Sequence, residues 1–429
     1  MTTATRTLLP LIAVNFLSSL GFSVVMPFLV FLVAGLGGNA FVMGVIGAAF
    51  SVCQLVGAPW LGGLSDRVGR KRVLFYSQLG GLLAWAVFVA ALLAPHIELF
   101  RLASPLTGSF VVLLPVALIA LSRATDGLIN GSISVANAYL ADVTTEAERK
   151  SSFARLGVAA SLGFVIGPFA AGFVARGERG VLLLVLIALA LSGVGAFVVW
   201  RFLPNVAKST VTVADAATTT VAHQALGGGS KRCIAHKDAP LSLATLLALP
   251  GTLRMVVLYF LVFLGFSIFT TVLPMHALVN LHWTSDRLGS LFGVLSLALI
   301  TTQAVLLPPL ARRFSDGALA AWGSASVALA YVLVAQLGVP GAFGSAVFYG
   351  LGNGLMWPSY LAMLSETGPV SARGRLQGVA SSAGSAASIT GMLGGGGAFA
   401  SFGSGTFYVA ALALAVAVVV FSTSPKPSG

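Results

Sequence analysis

The stretch "GGLSDRVGRKR", residues 62–72, holds five charged side chains in a chain where only 8 % of the 429 residues are Asp, Glu, Lys or Arg. Long apolar runs precede and follow it, and 57 % of the whole chain is apolar. Lys and Arg concentrate in the short cytoplasmic loops of membrane proteins. The stretch therefore predicts a loop at a membrane surface, between two spanning segments.

The remaining composition indicates a helical membrane protein. The mean hydropathy is +0.97, and uncharged stretches of about 20 residues, enough for a helix to cross a bilayer core of roughly 30 Å, recur along the chain. Only helices and closed barrels pair every backbone polar group in lipid. Because these runs are continuously apolar, whereas barrel strands alternate, we predict an all-α membrane protein.

Charge and cysteine usage exclude several other classes. The net charge of +12 is typical of basic cytoplasmic loops, so we expect no nucleic-acid partner. Cys53 in an apolar run and Cys233 in a polar one provide no disulfide framework. The five histidines are scattered, and there is no motif of a hydrolase or a zinc enzyme. The sequence therefore predicts no metal, no cofactor and no enzymatic activity.

The apolar runs predict twelve spans, numbered here 1 to 12 in chain order. Six belong to an N-terminal bundle, residues 1–203, and six to a C-terminal bundle, residues 250–429. A flexible polar linker, 204–249, joins them, and its last part, 239–249, has the pattern of an amphipathic surface helix. The spans are predicted near 8–34, 41–64, 73–93, 110–141, 154–175, 180–203, 251–279, 287–311, 317–338, 341–364, 375–399 and 404–423.

The distribution of Lys and Arg predicts the orientation. With both termini and the linker in the cytoplasm, roughly 19 of the 24 basic residues lie on the cytoplasmic side, and the reverse topology would invert that ratio. The first apolar run is long and lacks a cleavage site, which favours a retained span over a signal peptide. We therefore expect a multi-pass, monomeric protein of the cell membrane, in contact with the bilayer, with an outer loop at 94–109.

Three pairs of similar segments indicate an internal duplication. "FLSSLGFS" (16–23) in span 1 resembles "FLVFLGFS" (260–267) in span 7. "GLING" in span 4 and "GVAASLG" in span 5 likewise match "GLGNG" in span 10 and "GVASSAG" in span 11, in the same order. The matches predict two pseudo-symmetric six-helix bundles, a transporter design with the substrate site between the halves near mid-membrane.

This organisation, with its charged loop between spans 2 and 3, resembles the major facilitator superfamily. The loop fits that superfamily's signature at Gly62, Asp66, Arg67, Gly69, Arg70, Lys71 and Arg72. The resemblance implies that Asp66 faces the positive N-terminal end of span 11 and that Arg70 pairs with Asp142 at the base of span 4. These residues, called here the latch, would hold the cytoplasmic side shut in one state and release it in the other.

Span 5 contains "GFVIGPFAAG", which resembles the span 5 signature of antiporters in this superfamily. The matching residues are Gly163, Gly167, Pro168 and Gly172, and Ala171 replaces one glycine of the signature. Glycines at this spacing also let membrane helices pack closely, so close packing alone is the alternative interpretation. The match favours export.

Span 4 carries Arg123 and Asp126, an opposite-charge pair well inside a predicted span. Ionisable groups at that depth are costly and are functional candidates. Burial favours the neutral form of Asp126, whereas Arg123 one turn away favours the ionised form. Asp126 is therefore the candidate proton site and Arg123 its modulator, a role that the resemblance also implies for the Arg; a permanent structural salt bridge is the alternative.

The sequence "FLSSLGFSVVMP" of span 1 is similar to the corresponding segment of the drug:proton antiporter branch that includes the tetracycline exporters. Ser18 stands where that branch often has an acid, which leaves Asp126 as the one candidate proton site or indicates transport without proton coupling. Polar and aromatic residues at helical spacing are further candidates for a substrate cavity, although each also suits helix packing. They are Asn15, Ser18, Phe22, Gln54, Asn130, Asn137, Tyr259, Phe266, Gln303, Asn353 and Trp357.

Together these features predict export of a small amphiphilic organic molecule in exchange for protons, by alternating access. A facilitator or importer of a metabolite without proton antiport is the second interpretation, and the absent span 1 acid allows it. A receptor or an intramembrane enzyme has little support in the sequence.

Overall fold

A computed structural model describes residues 3–104, 107–130, 132–144, 146–174, 180–204, 243–367 and 373–422. Of the predicted linker, only residues 204 and 243–249 are described, and they include a short helix, Leu243–Leu247. The rest of the linker, with Cys233 and the first four residues of the expected surface helix, lies outside the described residues.

Helices occupy all twelve predicted spans. Span 1 comprises Thr3–Val25, a 3-10 turn at Met26–Phe28 and Leu29–Gly35; span 4 comprises Leu114–Asn130 and Ser132–Val143; and span 8 comprises Ser285–Thr301, a π turn at Thr302–Leu306 and Leu307–Ala311. The others are Ala40–Val68, Arg70–Leu93, Glu146–Val174, Gly180–Phe202, Thr252–Val279, Asp316–Gln336, Gly338–Glu366, Arg373–Phe402 and Thr406–Ser422.

Length and composition agree with a membrane-spanning fold. Nine helical segments in the described part of the chain could cross a bilayer, and one of them, Leu376–Ser422, holds both span 11 and span 12. A 3-10 turn at Gly403–Gly405 separates those two helices. With spans 4 and 10, the set of twelve is complete, so the predicted twelve-helix membrane fold is confirmed.

The contacts between helices repeat in the two halves. In the first half span 1 packs on spans 5 and 6, span 4 packs on spans 2 and 3, and span 3 packs on span 6. In the second half span 7 packs on 11 and 12, span 10 on 8 and 9, and span 9 on 12. Across the halves, span 2 meets span 11 and span 5 meets span 8, two pairs that a two-fold axis interchanges. The internal duplication therefore appears in the packing as pseudo-symmetry.

The buried core shows that the halves separate at one end. We call the end with residues 62–72 the motif side and the opposite end, with residues 98–113, the hairpin side. Towards the hairpin side one core cluster includes residues of both halves, such as Phe28 and Phe407. Towards the motif side each half has its own cluster, one around Tyr139 and the other around Tyr360. The bundle is therefore closed at the hairpin side and open at the motif side.

Backbone contacts between small residues close the hairpin side. A Cβ added to Gly172 of span 5 would lie 2.7 Å from the Cα of Gly289 in span 8, closer than real Cβ atoms come. Between spans 2 and 11, Gly44 packs on the Met392 backbone and Gly396 packs on Ala40. Small residues let membrane helices approach this closely.

The loop between spans 3 and 4 differs from the prediction. Strands β1 (Glu98–Ser104) and β2 (Gly108–Leu113) form an antiparallel hairpin, so the helix of span 4 begins at Leu114 rather than near residue 110. The hairpin is tied to its own half, since Asn39 Nδ2 donates to Thr107 O at 2.7 Å and Val111 N donates to Gly37 O at 3.1 Å. Charge and hydropathy report membrane depth and not strand pairing, which is why the sequence did not reveal it.

The Gly172–Gly289 contact gives a direct test of this closure. Gly289→Val puts a branched side chain where the two backbones touch, so we expect the hairpin side to spread. Spin labels at Leu93 and Phe402, exposed ends of spans 3 and 11, should then show a longer distance by pulsed electron spin resonance. Gly394→Ala, at a position with no atom within 4 Å of the added Cβ, is the matched control; an unchanged distance in the Gly289 variant would contradict the closure.

Candidate functional site

A cavity of about 630 Å³ lies between the two halves, and residues of all twelve spans line it. Its wall extends from Met43 and Leu273, near the hairpin-side contacts, to Leu11 and Leu74 in the motif-side half of the bundle. The cavity is large enough for a drug-sized organic molecule. Its position between the halves is the one that the duplication predicts.

Most of the predicted cavity residues are part of this wall. Asn15, Ser18, Phe22, Gln54, Phe266, Gln303, Asn353 and Trp357 line the cavity. The amide of Asn15 is also used in packing, since its Nδ2 donates to Leu156 O of span 5 at 2.8 Å. The Asn130 side chain lies outside the described residues.

Two predicted residues do not line the cavity. Ala136 of span 4 is on the wall, whereas the adjacent Asn137 is not among the residues that line it. Tyr259 stacks on Phe263 with ring centroids 4.7 Å apart, and it is Phe263 that lines the cavity. Helical spacing in the sequence therefore identified the cavity-facing sides of spans 4 and 7, but it did not identify which residue at the edge of each side lines the cavity.

The centre of the site is the ion pair in span 4. Arg123 Nη1 donates to Asp126 Oδ2 at 2.9 Å, and the side chains are 1 % and 12 % exposed, respectively. Both residues line the cavity. They are the only Asp, Glu, Lys or Arg among the described residues of its wall. The Asp126 carboxylate is therefore the charged group that is partly accessible from the cavity, and the Arg123 guanidinium is buried next to it.

Spans 3 and 4 supply the remaining contacts of Arg123, which the sequence analysis missed. The guanidinium lies 4.2 Å from the centre of the Trp85 ring and 5.5 Å from that of Phe88. Its Nη2 donates to Ser122 Oγ at 3.2 Å, and Ser122 Oγ donates to Ala84 O at 2.7 Å. An Arg within a span needs desolvated partners, so an aromatic residue on the neighbouring span was the signal to look for.

Aromatic rings from both halves form the apolar part of the wall. In the first half Phe22 contacts Phe50 and Phe164, with ring centroids 5.1 and 5.9 Å apart. In the second half Phe263 contacts Trp357 at 5.6 Å. The wall can therefore hold a flat apolar body between rings, while amides offer hydrogen bonds.

Gln303 reaches the cavity from an irregular turn. Span 8 forms a π turn at Thr302–Leu306, in which Leu307 N–H donates to Thr302 O, five residues back. Pro308 follows and cannot donate to a carbonyl in the preceding turn. Such single π turns are frequent at functional sites, and this one determines which residues of span 8 face the cavity.

The latch residues lie at the one-residue break between spans 2 and 3. Gly69 adopts φ +100° and separates Val68 from Arg70. The ion pair expected between Arg70 and Asp142 is present, with Nε to Oδ2 at 3.1 Å. Arg70 Nη1 also contacts Asp66 Oδ1 at 2.8 Å and Ser65 Oγ at 2.7 Å.

The expected contact of Asp66 with the N-terminal end of span 11 is not among the described contacts. Asp66 is 56 % exposed and pairs with Arg70. The described contacts of span 2 with span 11 lie between Ala40 and Ser51, in the hairpin-side half of span 2. Asp66 pairs within its own half because the two halves are separated at the motif side. The remaining members Gly62, Arg67, Lys71 and Arg72 lie in the same segment, where the Gly62 carbonyl accepts a bond from Ser65 Oγ at 2.7 Å.

The span 5 motif has two kinds of contact. Gly163 and Gly167 face span 1 of the same half, where Ser23 Oγ donates to Gly163 O at 2.8 Å. Gly172 faces span 8 across the halves, and Pro168 lines the cavity within a continuous helix. The motif therefore packs one bundle and joins it to the other.

Comparisons with known proteins agree with this architecture. The sequence profile described as Major Facilitator Superfamily matches residues 11–253 and 255–429. The tetracycline resistance protein class E of Escherichia coli is 30 % identical over 213 residues, 49 % of this chain and 46 % of that protein, so the chain spans less than half of that relative. The class D protein of Salmonella ordonez is 26 % identical, with 86 % of this chain and 83 % of that protein covered.

A solved structure has the same fold over its whole length. The crystal structure of a D-xylose–proton symporter superposes with a TM-score of 0.74 at 15 % sequence identity, covering 100 % of this chain and 99 % of that one. At this identity the likeness concerns the fold alone.

The buried ion pair leads to a test of stability. Arg123→Met leaves the Asp126 carboxylate without its partner, and breaking a buried pair in this way costs about 3 kcal/mol. Because Arg123→Met with Asp126→Leu removes both charges, we expect the double variant to be more stable than the single one. Thermal unfolding of the purified protein in detergent measures the difference; a double variant less stable than Arg123→Met would contradict the pairing.

Proposed function

The chain belongs to the major facilitator superfamily, and we propose that it exports a small amphiphilic organic molecule in exchange for protons by alternating access. Members of this superfamily are transporters, so the expectation that the protein is not an enzyme is confirmed. The protein is a multi-pass membrane protein that acts on a small-molecule substrate. The direction, the substrate and the proton coupling are the content of the proposal.

The observation that carries the proposal is the Arg123–Asp126 pair on the wall of the cavity. Arg123 is enclosed by Trp85 and Ser122, and the carboxylate is the member that meets the cavity. A proton and a polar group of the substrate would therefore compete for the same carboxylate. Binding of one opposes binding of the other by the same factor, which is the requirement for exchange.

The arrangement of the halves supports alternating access. The cavity is closed by the Gly172–Gly289 and Gly44–Met392 contacts at the hairpin side, while the buried cores separate at the motif side. We propose that the motif side faces the cytoplasm, as the distribution of Lys and Arg favours. The state described here would then be the one that receives substrate from the cell.

We also propose that the latch works by exchange of partners. In the open state Asp66 and Asp142 both pair with Arg70 inside the first half. When the motif side closes, Asp66 would approach the N-terminal end of span 11, where a negative charge is favourable. Partly exposed ion pairs contribute about 1 kcal/mol or less, so such an exchange lets the halves move without a large energy barrier.

The relatives suggest a class of substrate for the proposed transport but do not identify the substrate itself. Two relatives are named tetracycline resistance proteins. Tetracycline is a flat amphiphile, which would suit a cavity wall with aromatic rings from both halves. The second interpretation, a facilitator or importer of a metabolite, is favoured by one observation: Ser18 lines the cavity where an acid would be expected. Equal transport with and without a proton gradient would support that interpretation.

A transport assay in liposomes tests the proposal. A comparison of drug susceptibility in cells with and without the protein first identifies a substrate, beginning with tetracycline. In proteoliposomes with an imposed pH gradient, Asp126→Asn should reduce gradient-driven transport to the level of protein-free liposomes, because the amide cannot take up the proton. Binding of the same substrate should persist, since the amide still offers a hydrogen bond.

The matched control is Asp286→Asn, which makes the same change at an exposed acid in the first turn of span 8. It should transport at the rate of the unmodified protein. Gradient-driven transport by the Asp126 variant at the normal rate would refute the proton role.

A further inference from the structure

The Arg123–Asp126 ion pair is held by fewer contacts than an Arg and a carboxylate can make. Of the guanidinium nitrogens, Nη1 contacts Asp126 and Nη2 contacts Ser122. The Nε is buried with no hydrogen-bond partner among the described residues. The pair therefore has one N–H···O bond, whereas Arg–carboxylate pairs frequently have two parallel ones.

The position of the guanidinium explains this geometry. Trp85 of span 3 is 4 % exposed and lies 4.2 Å from the guanidinium carbon, measured to the ring centre. An aromatic face attracts a cation, and the attraction is strongest where water is excluded. With the guanidinium on the indole and Nη2 bonded to Ser122, only Nη1 reaches the carboxylate.

We propose that Trp85 is a positioning residue for proton coupling: it holds Arg123 in a one-bond pair with Asp126 and so keeps that carboxylate open to protonation. A two-bond pair would stabilise the ionised carboxylate more strongly. The indole also keeps a favourable contact with the cation after Asp126 has taken up a proton and lost its charge. This inference rests on the proposed function, because it assumes that Asp126 is the proton site.

In the described part of the chain, the cavity wall holds no Asp, Glu, Lys or Arg besides this pair. Spans 2 and 3 pack against this stretch of span 4. Their charged residues, Asp66 to Arg72, lie at the motif-side end, and Cys53 of span 2 is not on the cavity wall. Across the cavity the second half contributes Tyr331 and Tyr349 as titratable groups. Changes in the protonation of Asp126 can therefore be assigned to its contacts with Arg123.

Infrared spectroscopy of the purified protein tests the inference directly. The carboxylic-acid stretching band that Asp126→Asn removes reports the protonation of Asp126 as the pH is varied. Trp85→Leu frees the guanidinium to form the second bond, so the pH of half protonation should fall by about one pH unit, the tenfold change expected for one added charge-assisted hydrogen bond. The pH profile of transport should move in the same direction.

Three further variants separate positioning from a general loss of packing. Trp85→Phe keeps an aromatic face and should restore most of the original pH of half protonation. Ser122→Ala releases Nη2 with little change in volume, so it should lower that pH even if Trp85→Leu does not fold. Phe75→Leu removes a ring from the same span as Trp85 at a partly buried position that is not on the cavity wall, and should leave the titration unchanged.

The outcomes distinguish this inference from the proposed function. Suppose that the Asp126 band titrates but that its pH of half protonation is unchanged in Trp85→Leu, or in Ser122→Ala where Trp85→Leu does not fold. That result overturns the role of Trp85 and leaves Asp126 as the proton site. An equal shift in Phe75→Leu also overturns it, because any lost ring would then suffice. If no band sensitive to Asp126→Asn titrates in the unmodified protein, the proton role itself fails.

Discussion

Close contact between backbones at one end of the molecule determines what the rest of the structure can do. Where Gly172 meets Gly289 and Gly44 meets Met392, no side chain separates the two halves. Helices in lipid gain little from burying apolar surface, so such close packing is the main source of their association. Because these contacts lie only at the hairpin side among the described residues, the halves diverge towards the motif side and leave a cavity between them.

The charged groups are distributed according to how much water each place admits. At the motif side Arg70 pairs with two partly exposed acids, and such pairs can exchange partners at low cost. Inside the membrane Arg123 and Asp126 have no comparable freedom, because a buried charge without a partner is expensive. The first kind of pair suits a contact that breaks during motion, and the second suits a site where one proton changes the local charge balance.

The two halves share a fold but differ in chemistry. In the aligned segments, Asp126 precedes "GLING" as Tyr349 precedes "GLGNG", and both line the cavity. The first half thus supplies the charged pair, while both halves supply aromatic rings and amides, the amides of the second half being those of Gln303 and Asn353. A cavity with a charged pair on one side only suits an amphiphilic molecule that binds in one orientation.

The sequence alone determined the helices, the duplication and the membrane setting, because hydropathy, repeats and charge are local properties of the chain, and the resemblance of residues 62–72 to the superfamily signature implied the pairing of Arg70 with Asp142. It also identified Arg123 and Asp126, since ionisable residues inside a span stand out. Only the tertiary structure decided which side is closed, that residues 98–113 form a hairpin, that Tyr259 and Asn137 do not line the cavity, and that Trp85 lies against Arg123. Those features depend on contacts between segments far apart in the chain, which no local pattern encodes.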